Sequence, residues 1–116
     1  MTSISLSASN NATWTFGPFA LRDTNDILIP LAGAVEITMQ VRSQPNDIEA
    51  RLSLALERGI SIVNFFGSEV LIDVPHTTTK DIAAGSYVWD IRVVQPTGRA
   101  HRPVFGTLSV IQGVTR

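Results

Sequence analysis

Ala84-Gly85-Ser86-Tyr87-Val88-Trp89-Asp90-Ile91-Arg92-Val93 is the stretch that decides the fold. In an extended chain Tyr87, Trp89, Ile91 and Val93 share one face, while Val88, Asp90, Arg92 and Val94 share the other. That period of two is what a strand with one buried face requires. Gly85 opens the run, and Gln95-Pro96-Thr97-Gly98-Arg99 closes it with turn formers. A last strand is then expected from about Val104 to Ile111.

The same alternation recurs upstream. Val35, Ile37, Met39 and Val41 share a face against Glu36, Thr38, Gln40 and Arg42, and Val70, Ile72 and Val74 share one between Ser68 and Pro75. Thr13-Trp14-Thr15-Phe16 alternates polar with aromatic until Gly17-Pro18 interrupts it, which marks an edge or kinked strand. Thr13–Phe16 and Val104–Ile111 are the segments expected to form sheet edges. Residues 46–58 carry two patterns. Asn46 and Glu49 have capping-box spacing and Ile48, Leu52 and Leu56 recur every four, yet Leu52, Leu54 and Leu56 also alternate. The strand reading is adopted there because the neighbouring segments are strands and sheets need partners. Arg58-Gly59 breaks the chain before Ile60–Val63 alternates again, and Thr77–Ala84 has room for a single helical turn closed by Gly85.

Seven to nine short strands at short, regular spacing are the mark of an all-β sandwich or small barrel. Immunoglobulin-like antiparallel sandwiches often set a tyrosine just after a tight crossover, its hydroxyl bonded to backbone a few residues upstream. Asp81 through Gly85 to Tyr87 has that arrangement. The expectation is therefore one immunoglobulin-like domain over residues 1–116 with short polar arms at Met1–Asn11 and Gln112–Arg116. Gly85, Tyr87, Trp89 and Ile91 would be its structural corner and core.

Composition narrows the function. Apolar residues make up 44% of the chain and charged ones 16%, against about 25% in a typical soluble domain. So thin a charge suits either a domain that covers its surface against neighbours or one merely rich in Ser and Thr. Nine basic and ten acidic residues give a net charge of −1 without any basic run, so nucleic-acid binding is not expected. Cysteine is absent, which removes disulfides and thiolate metal sites. Met1–Leu6 has no positive n-region or apolar h-region, and no window approaches the roughly 18 apolar residues of a membrane span. Synthesis and assembly in the cytoplasm, without membrane insertion, are expected.

Residues in the patterns that catalysis or metal binding requires are few. His76 and His101 stand 25 residues apart with no third ligand at motif spacing, and are taken as surface-loop residues. Asp23-Thr24-Asn25-Asp26 resembles part of a calcium loop but lacks its glycine and distal glutamate, so it is taken as an Asx-type turn. No phosphate loop, nucleophile elbow or HExxH helix occurs. No catalytic, metal or cofactor site is assigned and no enzyme activity is expected. Phe16, Phe19, Phe65 and Phe66, set in or beside turns, are candidate protein-contact residues, with capping of the open ends of the sandwich as the structural alternative.

Taken in order, Trp14 with Phe16-Gly17-Pro18-Phe19, Pro30-Leu31-Ala32-Gly33, Val41-Arg42, Leu52-Ser53-Leu54 to Gly59-Ile60-Ser61-Ile62, Ala84–Val93, Gly98, Gly106–Val110 and Val114-Thr115-Arg116 resemble a group of small tailed-phage virion proteins. The resemblance spans about residues 13–116, and Ala84–Val93 looks like the group's AGxYxxDLRV stretch. Such proteins are similar to the immunoglobulin-like N-terminal module of phage upper baseplate proteins. The resemblance implies a virion structural protein, a tail, baseplate or neck adaptor or a capsid decoration, made in the host cytoplasm. Its partners would be other virion proteins and copies of itself, with Arg116 added to the candidate contact residues. The alternative is a carbohydrate- or ligand-binding sandwich, which would need an exposed aromatic platform.

Overall fold

The alternation around Tyr87 becomes a ten-residue strand. The computed structural model describes residues 2–31, 36–46, 49–64 and 66–114. Its elements are β1 (Thr2–Ser9), β2 (Trp14–Ala20), β3 (Glu36–Arg42), β4 (Leu52–Leu56), β5 (Gly59–Asn64), β6 (Glu69–Val74), the single helical turn α1 (His76–Thr79), β7 (Gly85–Val94) and β8 (Ala100–Ile111). Tyr87, Trp89, Ile91 and Val93 of β7 are buried, as are Ile37, Met39 and Val41 of β3 and Val70, Ile72 and Val74 of β6. The period-two reading therefore puts the right side chains in the core. Val35, Ala32 and Gly33 lie outside the described residues.

The strands form one sheet in the order β1-β8-β7-β3-β4-β5-β6-β2, folded so that β2 faces β7 through Phe19 and Trp89. The fold is all-β with eight strands, and its pairing is mixed where a wholly antiparallel sheet was expected. β1 runs parallel to β8 from Thr2↔Val104 to Ser9↔Ile111. β4 and β5 touch in parallel only at Ala55↔Gly59 and Leu56↔Ile60. There the chain makes a full loop through Glu57 (φ 68°) and Gly59 (φ 99°) and continues in the same direction one strand over. That step separates two layers, β1-β8-β7-β3-β4 and β5-β6-β2, whose inner faces make the core.

Two expectations about edges change. Thr2–Ser9 is a strand, not a polar arm, with Ile4, Leu6 and Ala8 packed against the core. Because β1 covers it, β8 is an interior strand; the edges are β1 and β2. Gly106 makes the β1–β8 contact possible, since a Cβ there would lie 1.8 Å from the Ile4 carbonyl oxygen. Residues 46–58 divide: Leu52–Leu56 is strand and no helix starts at Asn46, while Asp47 and Ile48 are outside the described residues.

The corner has the expected geometry. Tyr87 donates its hydroxyl to the Ala83 carbonyl at 2.5 Å. Three buried polar residues fix the irregular connections. Asn10 donates to Ile82 O (3.0 Å) and Gln112 Oε1 (3.3 Å) and accepts from Gly113 N (3.0 Å). Ser68 Oγ donates to Ile29 O at 2.6 Å, holding the 21–31 segment to the start of β6. Thr79 Oγ1 lies 2.8 Å from Ala12 O, joining α1 to the β1–β2 link.

Candidate functional site

The aromatic side chains sort into two groups. Trp14 and Trp89 are each 2% exposed, and both indole N–H groups are spent on backbone, Trp14 on Ser9 O (2.7 Å) and Trp89 on Thr107 O (3.1 Å). Tyr87 is likewise buried. Gly85, Tyr87, Trp89 and Ile91 thus serve the corner and core, and no indole platform faces solvent.

Phe16 and Phe19 are strand residues of β2 instead of turn residues. Phe16 packs beside Trp14 with ring centroids 6.1 Å apart, and Phe19 reaches across the sandwich to Trp89 at 5.8 Å. Both are half-buried against the core, which leaves only their outer edges for any contact. The irregularity at Gly17-Pro18, where the β2–β6 register shifts between Phe16 and Phe19, lets both rings turn inward. Phe65 and Arg116 lie outside the described residues.

Phe66 is different. It sits in the turn between β5 and β6 and is 98% exposed. Asn64 shapes this turn: its Oδ1 accepts from Gly67 N at 3.1 Å. The turn lies at the same end of the sandwich as residues 21–29, because Leu21 N donates to Ser68 O (2.9 Å) and Ile29 N to Leu21 O (2.9 Å). Ile27 (61% exposed) and Val63 (51%) are therefore at that end too. Ile111 (60%) at the end of β8 and Val114 (93%) beyond it are exposed as well, so what sets Phe66 apart is an aromatic ring left almost wholly in water, which is costly to hydrate.

The 22–28 loop that flanks this end is held by Asp23, whose Oδ1 accepts from Asn25 N (2.8 Å) and Ile27 N (3.1 Å). This is the expected Asx turn. The Ile27 amide, with the Asn25 amide as a smaller cause, holds the Asp23 carboxyl below its usual value of 3.8.

A groove of about 360 Å³ crosses the outer face of β8, β7 and β3. Along it Arg102 Nε meets Asp90 Oδ2 at 2.9 Å, the Arg102 guanidinium covers the Phe105 ring at 4.4 Å, and Arg42 donates to Gln40 at 2.6 Å. The Arg102–Asp90 pair is half-exposed, so its net contribution is about 0–1 kcal/mol. The carboxylate lining this groove, Asp90, is taken up by Arg102. His101 Nε2 is 3.0 Å from Gln95 Oε1, and His76 is exposed on α1, away from the groove. Among the described residues no three His, Asp or Glu side chains stand close enough to hold a metal ion. No described helix is long and apolar enough to cross a membrane.

Sequence reasoning missed Asn10, Ser68 and Thr79. Their partners are backbone atoms distant along the chain, so no local pattern announces them.

No protein-family model matches the chain, and no curated protein matches it. Among solved structures the chain is similar to CopC from Methylosinus trichosporium OB3b. The identity is 18%, with 73% of this chain and 74% of that one covered, and the TM-score is 0.41.

Proposed function

We propose that this chain is a structural component of a tailed-phage particle, an adaptor of the tail, baseplate or neck or a capsid decoration, acting through protein–protein contacts and not as an enzyme. The observation that carries the contact reading is the exposure of Phe66, 98%, in the turn between β5 and β6. The virion assignment rests on the resemblance of residues 13–116 to small virion proteins. Burial of Trp14 and Trp89 counts against a carbohydrate-binding reading that would stack sugars on an indole platform. In the particle the Phe66 end would seat in an apolar recess of a neighbouring virion protein, and an aromatic anchor of this kind supplies much of an interface's energy.

Cryo-electron microscopy of purified particles tests both parts. The chain is expected in the particle with the β5–β6 turn against a neighbour. Its absence from particles would sink the proposal. Phe66→Ser should reduce incorporation several-fold while the free protein keeps its stability to within about 0.5 kcal/mol.

A further inference from the structure

The two edges of the sheet are guarded differently. β2 carries Gly17-Pro18 and a register shift, devices that twist an edge away from chance pairing. β1 has none of them. Thr2-Ser3-Ile4-Ser5-Leu6-Ser7-Ala8-Ser9 contains no charge, proline or glycine, pairs with β8 over its whole length, and among the described residues has no strand on its other side. Ser9 O is taken by the Trp14 indole, but from Thr2 to Ala8 the uncharged edge presents backbone donors and acceptors to no neighbouring strand among the described residues, and proteins rarely leave such an edge open.

We propose that β1 is where two copies of this chain associate, by antiparallel β1–β1 pairing about a two-fold axis. The polarity of the strand argues for a second copy. Ser3, Ser5 and Ser7 are exposed, while Ile4, Leu6 and Ala8 are half-buried toward the core. Paired residues in a sheet share a face, so a continuous sheet across the axis must set hydroxyls opposite hydroxyls and apolar groups opposite apolar groups. Self-pairing does this when the axis passes through Ser5 or Leu6. Centred on Ser5, Ser3 faces Ser7 of the partner subunit and Ile4 faces Leu6 of the partner subunit. Centred on Leu6, Ser5 faces Ser7 of the partner subunit. No charge is buried or opposed in either register, and the two five-stranded layers join into one ten-stranded layer. This surface is separate from the Phe66 end, so the inference stands or falls independently of the proposed function.

Sedimentation velocity on the full chain across the micromolar range tests it. The wild type is expected to be dimeric. Ser5→Lys with Ser7→Lys brings like charges opposite each other in both registers and is expected to be monomeric, as is Ser5→Glu with Ser7→Glu. An equimolar mixture of the two variants should restore the dimer. A wild type that stays monomeric throughout, or a lysine variant that still dimerises, overturns the proposal. Hydrogen exchange on the wild type gives a second test that needs no variant. Protection of β1 amides should rise with protein concentration, and concentration-independent protection would refute the pairing.

Discussion

Replacing Asn10 by alanine removes a side chain that ties three separate parts of the chain together. Its amide donates to Ile82 O at 3.0 Å and Gln112 Oε1 at 3.3 Å, and its oxygen accepts from Gly113 N at 3.0 Å. Asn10 is 7% exposed and Gly113 is buried, so water is poorly placed to substitute. Each buried partner left unsatisfied costs about 1–3 kcal/mol, and the exposed Gln112 contact adds little. The two buried partners together give an expected loss of about 2–6 kcal/mol, a large share of the roughly 5–15 kcal/mol that holds a small domain folded. With about 2.1 cal/mol/K of unfolding entropy per residue over 116 residues, each kcal/mol lowers the midpoint by about 4 °C. Thermal unfolding followed by circular dichroism should therefore show Tm lower by about 8–24 °C. Asn10→Asp keeps the acceptor for Gly113 but points a carboxylate at the Ile82 carbonyl. Burial would raise that carboxyl's pKa, so the variant's deficit should shrink as pH falls through the raised value. If Asn10→Ala melts within about 2 °C of the parent, the three bonds do not act as described.

Tyr87→Phe leaves the packing of the ring and removes the bond to Ala83 O; because Ala83 is exposed, urea unfolding should show a loss of only about 1 kcal/mol. Gly106→Ala drives a methyl group into the Ile4 backbone, so hydrogen exchange should show β1 amides losing protection before those of β3 and β7. The pH dependence from Asp23 follows from its lowered pKa. Its contribution is complete above the unfolded value of 3.8 and is lost as pH falls from there through the lower folded value, and Asp23→Asn should flatten that acid limb in urea titrations.

What could be read from the sequence was what repeats locally. β3, β6 and β7 were visible because each has one fully buried face and a clean alternation of large apolar residues. β1 escaped because its inward residues, Ile4, Leu6 and Ala8, are small or few and its outward ones are serines, so a real alternation looked like a polar tail. Missing it also misplaced β8 at an edge. Residues 46–58 carried two periodicities, and the tertiary partner of Leu52–Leu56, β3, decided in favour of strand there. At the candidate site, the exposure of Phe66 accords with its place in a turn, where no strand face holds the ring. Phe16 and Phe19 were not, since Gly17-Pro18 looks like a turn in sequence yet forms a mid-strand irregularity that folds both rings inward. Asn10 was hidden for a different reason, as its partners stand 72 and 103 residues away.

The parallel pairing of β1 with β8 also sets how the domain would bear a load. The chain enters at Thr2, beside Val104, and leaves β8 at Ile111, beside Ser9. Tension applied between those two points pulls the strands past each other along their length. Every bond of the ladder is then strained at once, whereas an antiparallel pair pulled from one end opens one bond after another. A domain wired this way resists stretching through its first and last strands, and it would release abruptly, with β1 sliding free of Gly106.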